Sequence, residues 1–165
     1  MLRLIPKVLS DQLGLLLATA LAYHHVMLRG SINHVDLTVS DLAASEPFYD
    51  SVLGYLGFAR QTPPPGTSTS RPTWQHTDPG QHLFSIALCK AKPDKVAHDR
   101  FNPGLHHLAF HAESRDDVDA LHRFLISAGV TILDAPAEYP QYWPVYYAVF
   151  FSDPDGLKLE FVYMA

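Results

Sequence analysis

Two stretches, His34-Val-Asp-Leu-Thr-Val-Ser-Asp41 and His107-Leu-Ala-Phe-His-Ala-Glu-Ser114, follow one pattern that determines the fold. Each begins with a histidine, alternates like a strand and reaches a helix-capping residue seven positions later. The segments that follow have helical spacing of apolar residues and are closed by Gly57 and Gly129. The histidine and the glycine are 23 residues apart in the first case and 22 in the second, which predicts a duplicated unit.

Each unit continues as three strands, so that both units read β-α-β-β-β. The predicted strands cover 58–61, 73–77 and 82–89 in the first unit, and 130–134, 145–152 and 157–163 in the second, where Asp153-Pro-Asp-Gly156 forms a hairpin turn. Because proline is tolerated only near a helix start, Pro47 predicts that the first helix becomes regular around Ser45. The predicted class is α+β.

The domain organisation follows from these units. Residues 1–30 form an N-terminal extension, and residues 31–165 form one domain with modules at 31–90 and 105–163, joined by a polar linker at 91–104. Each module alone leaves one sheet face bare, so we expect the two to pack around a shared cleft that contains the site.

The N-terminal extension carries an apolar run at 13–23 that is too short to span a bilayer, with basic residues before it and Ala20-Leu-Ala22 at its end. This pattern is compatible with a secretory leader, with a non-catalytic packing helix and with an upstream extension before Met27. We expect a cytoplasmic protein, with export left open by the leader-like pattern.

The composition excludes several classes of function. Twelve basic and 17 acidic residues give a formal charge of −5, so no basic stripe for nucleic acid is expected, and no membrane partner either. Cys89 is the single cysteine, which excludes a disulfide framework and a cysteine-based zinc site. No glycine-rich phosphate loop or Gly-x-Ser-x-Gly elbow is present, so nucleotide dependence and serine hydrolase chemistry are set aside.

The ten histidines are numerous for a chain of this length, and two of them combine with a carboxylate. Strand alternation puts His34 and His107 on the cleft side of their strands and Glu160 on the cleft side of the last strand. Two imidazoles and one carboxylate suit a borderline divalent cation and leave coordination positions open. The sequence therefore predicts a catalytic metal site, with Glu160 also as the catalytic residue.

The duplication provides a check on the number of ligands. Glu160 lies 53 residues after His107, and the position 53 residues after His34 is Ala87, which cannot ligate a metal. Ser85 and Cys89 share the face of Ala87, and Cys89 is a weak fourth option. The chain is therefore expected to supply three ligands.

Further side chains are candidates for substrate contact. Asp36 shares the side of His34, and His111 shares the side of His107, whereas His106 is expected to face the helix side or solvent. The segment 139–147 is rich in aromatic residues and can wall the cavity with ring systems and phenol hydroxyls. The predicted contacts in this segment are Tyr142, Trp143 and Tyr147.

Four segments together resemble the vicinal oxygen chelate superfamily, which includes glyoxalase I, bleomycin- and fosfomycin-resistance proteins, methylmalonyl-CoA epimerase and extradiol dioxygenases. They are His34-Val-Asp-Leu-Thr-Val-Ser-Asp-Leu42, Phe48-Tyr-Asp-Ser-Val-Leu-Gly54, Gly104-Leu-His-His-Leu-Ala-Phe110 and Phe151-Ser-Asp-Pro-Asp-Gly-Leu-Lys-Leu-Glu160. The resemblance covers residues 31–163 and implies a single-chain member with paired modules around a divalent metal. It departs from glyoxalase I at the fourth ligand, where that enzyme has a carboxylate and this chain has Ala87 or Ser85.

Two classes of function follow. The first is a glyoxalase-like enzyme in which one divalent ion (Fe, Mn, Zn or Ni) chelates vicinal oxygens of a small-molecule substrate, with lyase, isomerase or ring-cleaving dioxygenase chemistry. The alternative is a metal-free protein that sequesters a drug-like small molecule. The resemblance also implies a possible homodimer.

Overall fold

The computed structural model describes residues 29–62, 71–77, 82–94 and 96–165. The predictions for residues 1–28, for the proline-rich run at 63–66 and for the turn at 78–80 lie outside these residues. The described elements in chain order are β1 His34–Val39, α1 Leu42–Tyr55, β2 Ala59–Arg60, β3 Thr73–Thr77, β4 Leu83–Lys90, β5 His107–His111, α2 Arg115–Ser127, β6 Ile132–Glu138, β7 Tyr146–Ser152 and β8 Lys158–Met164.

The strands form two four-stranded sheets of the same topology. The first sheet has the order β1-β4-β3-β2 and the second β5-β8-β7-β6. In each sheet the first and last strands of the module pair in parallel, and the remaining pairs are antiparallel. The predicted α+β class with two β-α-β-β-β modules is confirmed.

The first helix begins earlier than Pro47 suggested. Asp41 is the N-cap, and its carboxylate accepts a hydrogen bond from the backbone N–H of Ala43 at 2.9 Å, so α1 begins at Leu42 and not near Ser45. Pro47 lies inside the helix, where it removes one backbone donor. The cap and the burial of Tyr49, Val52 and Leu53 compensate for this loss.

The second helix begins as the sequence predicted. The Ser114 hydroxyl accepts a hydrogen bond from the backbone N–H of Asp117 at 3.1 Å, and the Asp117 carboxylate accepts one from the N–H of Glu113 at 3.1 Å. This reciprocal arrangement resembles a capping box and satisfies donors that have no partner within the helix.

One hydrophobic core joins both modules through the helix-facing sides of the two sheets. The aromatic contacts across the module boundary include Tyr55 stacked on Phe124, with ring centroids 4.4 Å apart, and Phe58 edge-on to Phe110 at 6.1 Å. The fully buried members of this core include Val39, Tyr49, Val52, Leu53, Trp74, Ile86, Leu88, Val118, Leu121, Leu125, Phe151 and Leu159. The helix-facing sides of both sheets therefore pack into the same core.

The Asp-Pro-Asp-Gly turn links the modules as well as joining two strands. The Tyr49 hydroxyl donates to Asp153 at 2.8 Å, and the backbone N–H of Ser40 donates to Asp155 at 2.7 Å. Burial raises the pKa of the Asp153 carboxyl, although the hydroxyl of Tyr49 and the N–H groups of Leu157 and Asp155 oppose this rise. The turn is thus a buried tie between the two modules.

Within the described part of the chain, no helix is both long enough and apolar enough to cross a membrane.

Candidate metal and substrate site

Each sheet has an outer face, defined as the side that does not pack against the helices. On the first sheet it includes His34, Asp36, Thr38, Ser85 and Ala87. Strand register and alternation define the outer face of the second sheet in the same way. It includes His107, Ala109, His111, Tyr146, Ala148, Phe150, Lys158, Glu160 and Val162. The predicted parity is confirmed by the burial of Leu37, Val39, Leu159 and Phe161 in the shared core.

Glu160 is the centre of the outer face of the second sheet. It is 1% exposed, and its Oε2 lies 3.1 Å from Nε2 of His107 on the adjacent strand. Its Oε1 accepts a hydrogen bond from the hydroxyl of Tyr146. The structure therefore brings together two of the three predicted ligands and adds a tyrosine to the carboxylate.

Aromatic side chains cluster on the outer face beside this carboxylate. Tyr139 stacks on Tyr142 with ring centroids 5.8 Å apart and lies edge-on to Phe150 at 5.2 Å, while Tyr142 lies 5.4 Å from Tyr146. Burial raises the pKa of the Tyr146 hydroxyl, and its hydrogen bond to Glu160 raises it further. Burial also raises the pKa of Tyr139. Both phenols are consequently neutral near pH 7, and the hydroxyl of Tyr146 donates its proton to the hydrogen bond with Glu160.

His34 does not join this cluster. It is exposed at the start of β1, where its Nδ1 lies 2.9 Å from the side-chain oxygen of Asn33. No group of three His, Cys, Asp or Glu side chains that could hold a metal ion occurs among the described residues of the single chain. The expected convergence of His34 with His107 and Glu160 in one cleft is therefore not seen within one copy of the chain.

The first sheet repeats the ladder geometry without the carboxylate. Ala87 pairs with Asp36 as Glu160 pairs with Ala109, so Ala87 occupies the position equivalent to Glu160, as the sequence spacing predicted. Asp36 is exposed and accepts a hydrogen bond at 2.6 Å from Arg71. The same guanidinium nitrogen lies 3.1 Å from Sγ of Cys89.

The candidate substrate contacts are found in different surroundings. Tyr142 is 59% exposed and Trp143 54% exposed, at the open side of the aromatic cluster. Tyr147, by contrast, lies on the helix-facing side, where its hydroxyl donates to Asp119 of α2 at 2.8 Å. His111 is exposed and lines a cavity of about 650 Å³ between the modules, together with Phe58, Phe84 and Phe110.

Tyr146 and Lys158 are the residues that the predicted site omitted. Tyr146 has the same strand parity as Phe150, which pairs with Glu160, whereas Tyr147 has the opposite parity, but this parity selects Tyr146 only once the register of β7 against β8 is known. Lys158 pairs with His107 in the ladder, and its Nζ lies 3.6 Å from the ring centroid of Phe150.

His106 is exposed, as expected, but it also contacts the site. Its Nδ1 lies 2.7 Å from Nδ1 of His107, because His106 precedes the strand and is free of strand alternation. Loss of hydration lowers the pKa of His106, and the charges of His107, Arg100 and Lys158 lower it further.

The donor set fits a divalent cation. Two ligands at right angles on one ion, each about 2.1 Å from it, lie about 3 Å apart, which agrees with the 3.1 Å between His107 Nε2 and Glu160 Oε2. A carboxylate removed from water also requires a compensating positive charge or hydrogen bonds. His107 and Glu160 are therefore suited to hold such an ion.

Comparisons with known proteins agree with this two-module fold. The model of the glyoxalase/bleomycin resistance protein/dioxygenase superfamily matches residues 31–161. The chain is 32% identical over 133 residues to the uncharacterized protein YqjT of Bacillus subtilis, covering 79% of this chain and 97% of that protein.

Solved structures share the same fold. A crystal structure of a Bacillus halodurans protein has a TM-score of 0.62 at 30% identity, covering 82% of this chain and 97% of that one. A glyoxylase/bleomycin resistance protein/dioxygenase domain from Frankia has a TM-score of 0.61 at 25% identity, covering 84% and 100%. With two modules of one topology and a family model that matches nearly all of both, this chain belongs to the glyoxalase/bleomycin resistance protein/dioxygenase superfamily.

Proposed function

We propose that this chain is a divalent-metal-dependent enzyme that binds a small molecule through adjacent oxygen atoms, with lyase, isomerase or ring-cleaving dioxygenase chemistry. The observation that carries the proposal is the 3.1 Å approach of His107 Nε2 to Oε2 of the buried Glu160. Zinc, manganese, iron and nickel all accept imidazole and carboxylate donors. When bound, such an ion polarises substrate oxygens and stabilises negative charge that develops on them.

Other residues of the chain position the carboxylate of Glu160 and shield it from water. Tyr146 holds Oε1 of Glu160, which leaves Oε2 as the oxygen available to a cation. Phe150 is the ladder partner of Glu160, Tyr139 packs on Phe150 and Tyr146, and Tyr142 packs on Tyr146. The buried carboxylate has little contact with water, which strengthens electrostatic interactions inside the site. Glu160 is thus both the anionic ligand and the candidate catalytic residue.

We propose that the third ligand, His34, comes from a second copy of the chain. His34 lies on the outer face of the first sheet and is exposed in the single chain, so its imidazole is free to approach another copy. A symmetric dimer would pair the outer face of each first sheet with the outer face of the partner's second sheet, giving two equivalent sites. Asp36, on the same face as His34, would then border the substrate.

Metal titration of protein purified without an affinity tag tests the proposal. We expect wild-type protein to bind one manganese or zinc ion per chain by calorimetry, and both H34A and E160Q to bind it far more weakly. Subunit exchange between the two variants restores one intact site in each mixed dimer, which is about a quarter of the wild-type sites at equal mixing.

Three results would contradict parts of this proposal. A wild-type protein that binds no divalent ion excludes the metal-dependent enzyme. A monomer in sedimentation that still binds the ion through His34 excludes the second copy as its source. A mixture that regains no binding, although mixed dimers form, excludes the shared site.

The alternative function is a metal-free protein that binds a flat small molecule. It is favoured by one observation, namely that both oxygens of Glu160 already have partners in the chain, Tyr146 and His107. Under this alternative the exposed Tyr142 and Trp143 stack on the ligand. Elemental analysis separates the two functions, because the binder is purified without a stoichiometric divalent ion.

A further inference from the structure

The cavity of about 650 Å³ between the modules is lined by neither His107 nor Glu160. Phenylalanines from both modules form part of its wall. Phe58 lies edge-on to Phe84 and to Phe110, with ring centroids 6.1 Å apart in each pair. This phenylalanine cavity has the volume of an ordinary small-molecule site, which is about 300–1,000 Å³. It is therefore large enough for a ligand with more than one ring.

Four polar side chains line the same cavity. His76 lies against Phe58, with ring centroids 5.0 Å apart, and His111 lines the cavity from the end of β5. Glu113 and Asp117 line it from the start of α2. The cavity thus combines aromatic rings with two imidazoles and two carboxylates.

Both carboxylates have oxygens available for a ligand. The carboxylate of Glu113 makes no hydrogen bond or ion pair to a residue in the described part of the chain. Asp117 uses Oδ2 to accept the backbone N–H of Glu113 at 3.1 Å, and no other described donor reaches its side chain. Because ionised carboxylates only accept hydrogen bonds, these two favour a ligand that donates, and most of all a cationic one.

The counterpart of this cavity in the duplicated plan lacks such free acceptors. Duplication relates α1 to α2, so a cavity at the end of α1 and the start of α2 has its counterpart at the end of α2 and the start of α1. A cavity of about 380 Å³ lies there, lined by Phe48 and Asp153 among others. Asp153 is buried and accepts hydrogen bonds from the Tyr49 hydroxyl and from the N–H groups of Leu157 and Asp155. The free carboxylates are therefore particular to the phenylalanine cavity.

Association through the outer faces leaves this cavity available. His76 and Phe84 are ladder partners on the helix-facing side of the first sheet, and the two carboxylates lie at the start of α2. Of the four polar side chains, His111 alone belongs to an outer face. The proposed dimer therefore does not require the groups that would bind a cation here.

We infer that the phenylalanine cavity binds a flat aromatic molecule that carries a protonated amine. The rings of the ligand lie against Phe58, Phe84 and Phe110, and its ammonium group lies at Glu113 and Asp117. Aromatic faces and carboxylates both attract an organic cation. An oxyanion of the same size is disfavoured, because it faces two carboxylates in a chain with a formal charge of −5. This second site goes beyond the proposed function and uses none of the proposed metal ligands.

Three probes of matched shape test the class of ligand, namely naphthylmethylamine, naphthylmethanol and naphthoate. We expect saturable calorimetric binding of the amine with a dissociation constant below about 1 mM, weaker binding of the alcohol, and the weakest binding of naphthoate. Metal-loaded and chelator-treated protein bind the amine equally well, since the site contains no proposed metal ligand.

Matched variants on one helix test the two carboxylates. E113Q and D117N each weaken binding of the amine by about threefold, and the double variant weakens it by about tenfold, because the groups are partly exposed to water. D117N retains a side-chain oxygen for the N–H of Glu113. The control D116N removes the same charge from the first turn of α2 at a residue that does not line the cavity, and it leaves the affinity within about 1.5-fold. Binding of the alcohol is nearly unchanged in all of these variants.

Imidazole proton signals in NMR spectra locate the bound probe. The amine shifts the signals of His76 and His111, assigned with H76Q and H111Q, and leaves those of His34 and His107 in place. The opposite pattern, or binding that requires metal, places the probe at Glu160 and overturns the inference. So do the absence of saturation, naphthoate that binds as tightly as the amine, and a D116N loss equal to those of E113Q and D117N. Protein that takes up no metal but still binds the amine contradicts the proposed function and supports this site.

Discussion

The outer faces of the two sheets have the same topology and the same first-strand histidine, but they have become different surfaces. On the first sheet, His34 and Asp36 are exposed, and the position equivalent to Glu160 is Ala87, which is 8% exposed. On the second sheet, Glu160 is buried beside His107 and hydrogen-bonded by Tyr146. The two sheets therefore keep one topology, and different residues at a few ladder positions give their outer faces different chemical properties.

The difference can be assigned to particular ladder pairs. Glu160 pairs with Phe150 in the second sheet, and Ala87 pairs with Thr73 in the first. An aromatic ring opposite the carboxylate reduces its contact with water, whereas the pair of threonine and alanine supplies neither a ring nor a carboxylate. One sheet therefore carries the buried acid and its aromatic surroundings, while the other presents an exposed histidine.

The largest expected effect is on metal affinity, and it tests the assignment of the carboxylate to the second sheet. E160Q preserves shape and removes the only formal negative charge of the donor set, so manganese affinity falls by at least about 100-fold, given that loss of outer-shell groups alone costs about 10–100-fold. The matched change E46Q, on α1 of the first module, breaks only a surface pair with Arg60 and leaves affinity unchanged. Equal losses in calorimetric titrations of the two variants would contradict the comparison.

The next effect tests the tie between the modules. Y49F keeps the ring in the core but removes the hydrogen bond to Asp153, leaving a buried carboxylate oxygen with one donor fewer. The free energy of unfolding in urea decreases by about 1–3 kcal/mol. Y55F is the control, because Tyr55 stacks on Phe124 through its ring and its hydroxyl makes no hydrogen bond to a described residue. A Y49F protein as stable as Y55F would mean that the turn does not tie the modules.

The smallest expected effect is on the free energy of unfolding, and it tests whether Asp36 on the first sheet is exposed to solvent. D36N breaks the pair with Arg71, in which both side chains are substantially exposed, so the free energy of unfolding changes by less than about 1 kcal/mol at moderate salt. Chemical denaturation measures this difference. A loss of several kcal/mol would show that Asp36 is buried in solution, which contradicts both its exposure in the single chain and its place at the open border of the proposed shared site.

Alternation along the strands was the most reliable guide to the site. Period-two spacing correctly separated His34, His107 and Glu160 from the core residues Leu37, Leu159 and Phe161. The same rule applied to β7 would have selected Tyr146 in place of Tyr147. The sequence analysis named Tyr147 instead, because an aromatic-rich segment gives no register until its partner strand is known.

Other features needed long-range contacts. The helix start at Leu42 depends on an Asp41 cap and on burial that compensates Pro47, and the second role of Asp153 depends on a hydroxyl more than one hundred positions away along the chain. The Asp41 cap is visible in the sequence, but the burial that compensates for Pro47 and the hydrogen bond between Tyr49 and Asp153 result from tertiary packing and cannot be derived from local propensity.

The sequence by itself determined the duplicated β-α-β-β-β plan, the parity of the candidate ligands and the absence of a carboxylate at Ala87, since these depend on local periodicity and on comparison of the two halves. Tertiary structure alone decided that the helix-facing sides form one common core, that Tyr146 binds Glu160 and that His34 stays apart from both. The physical reason is that alternation specifies which side of a sheet a residue occupies, whereas only the packing of complete sheets decides what that side faces.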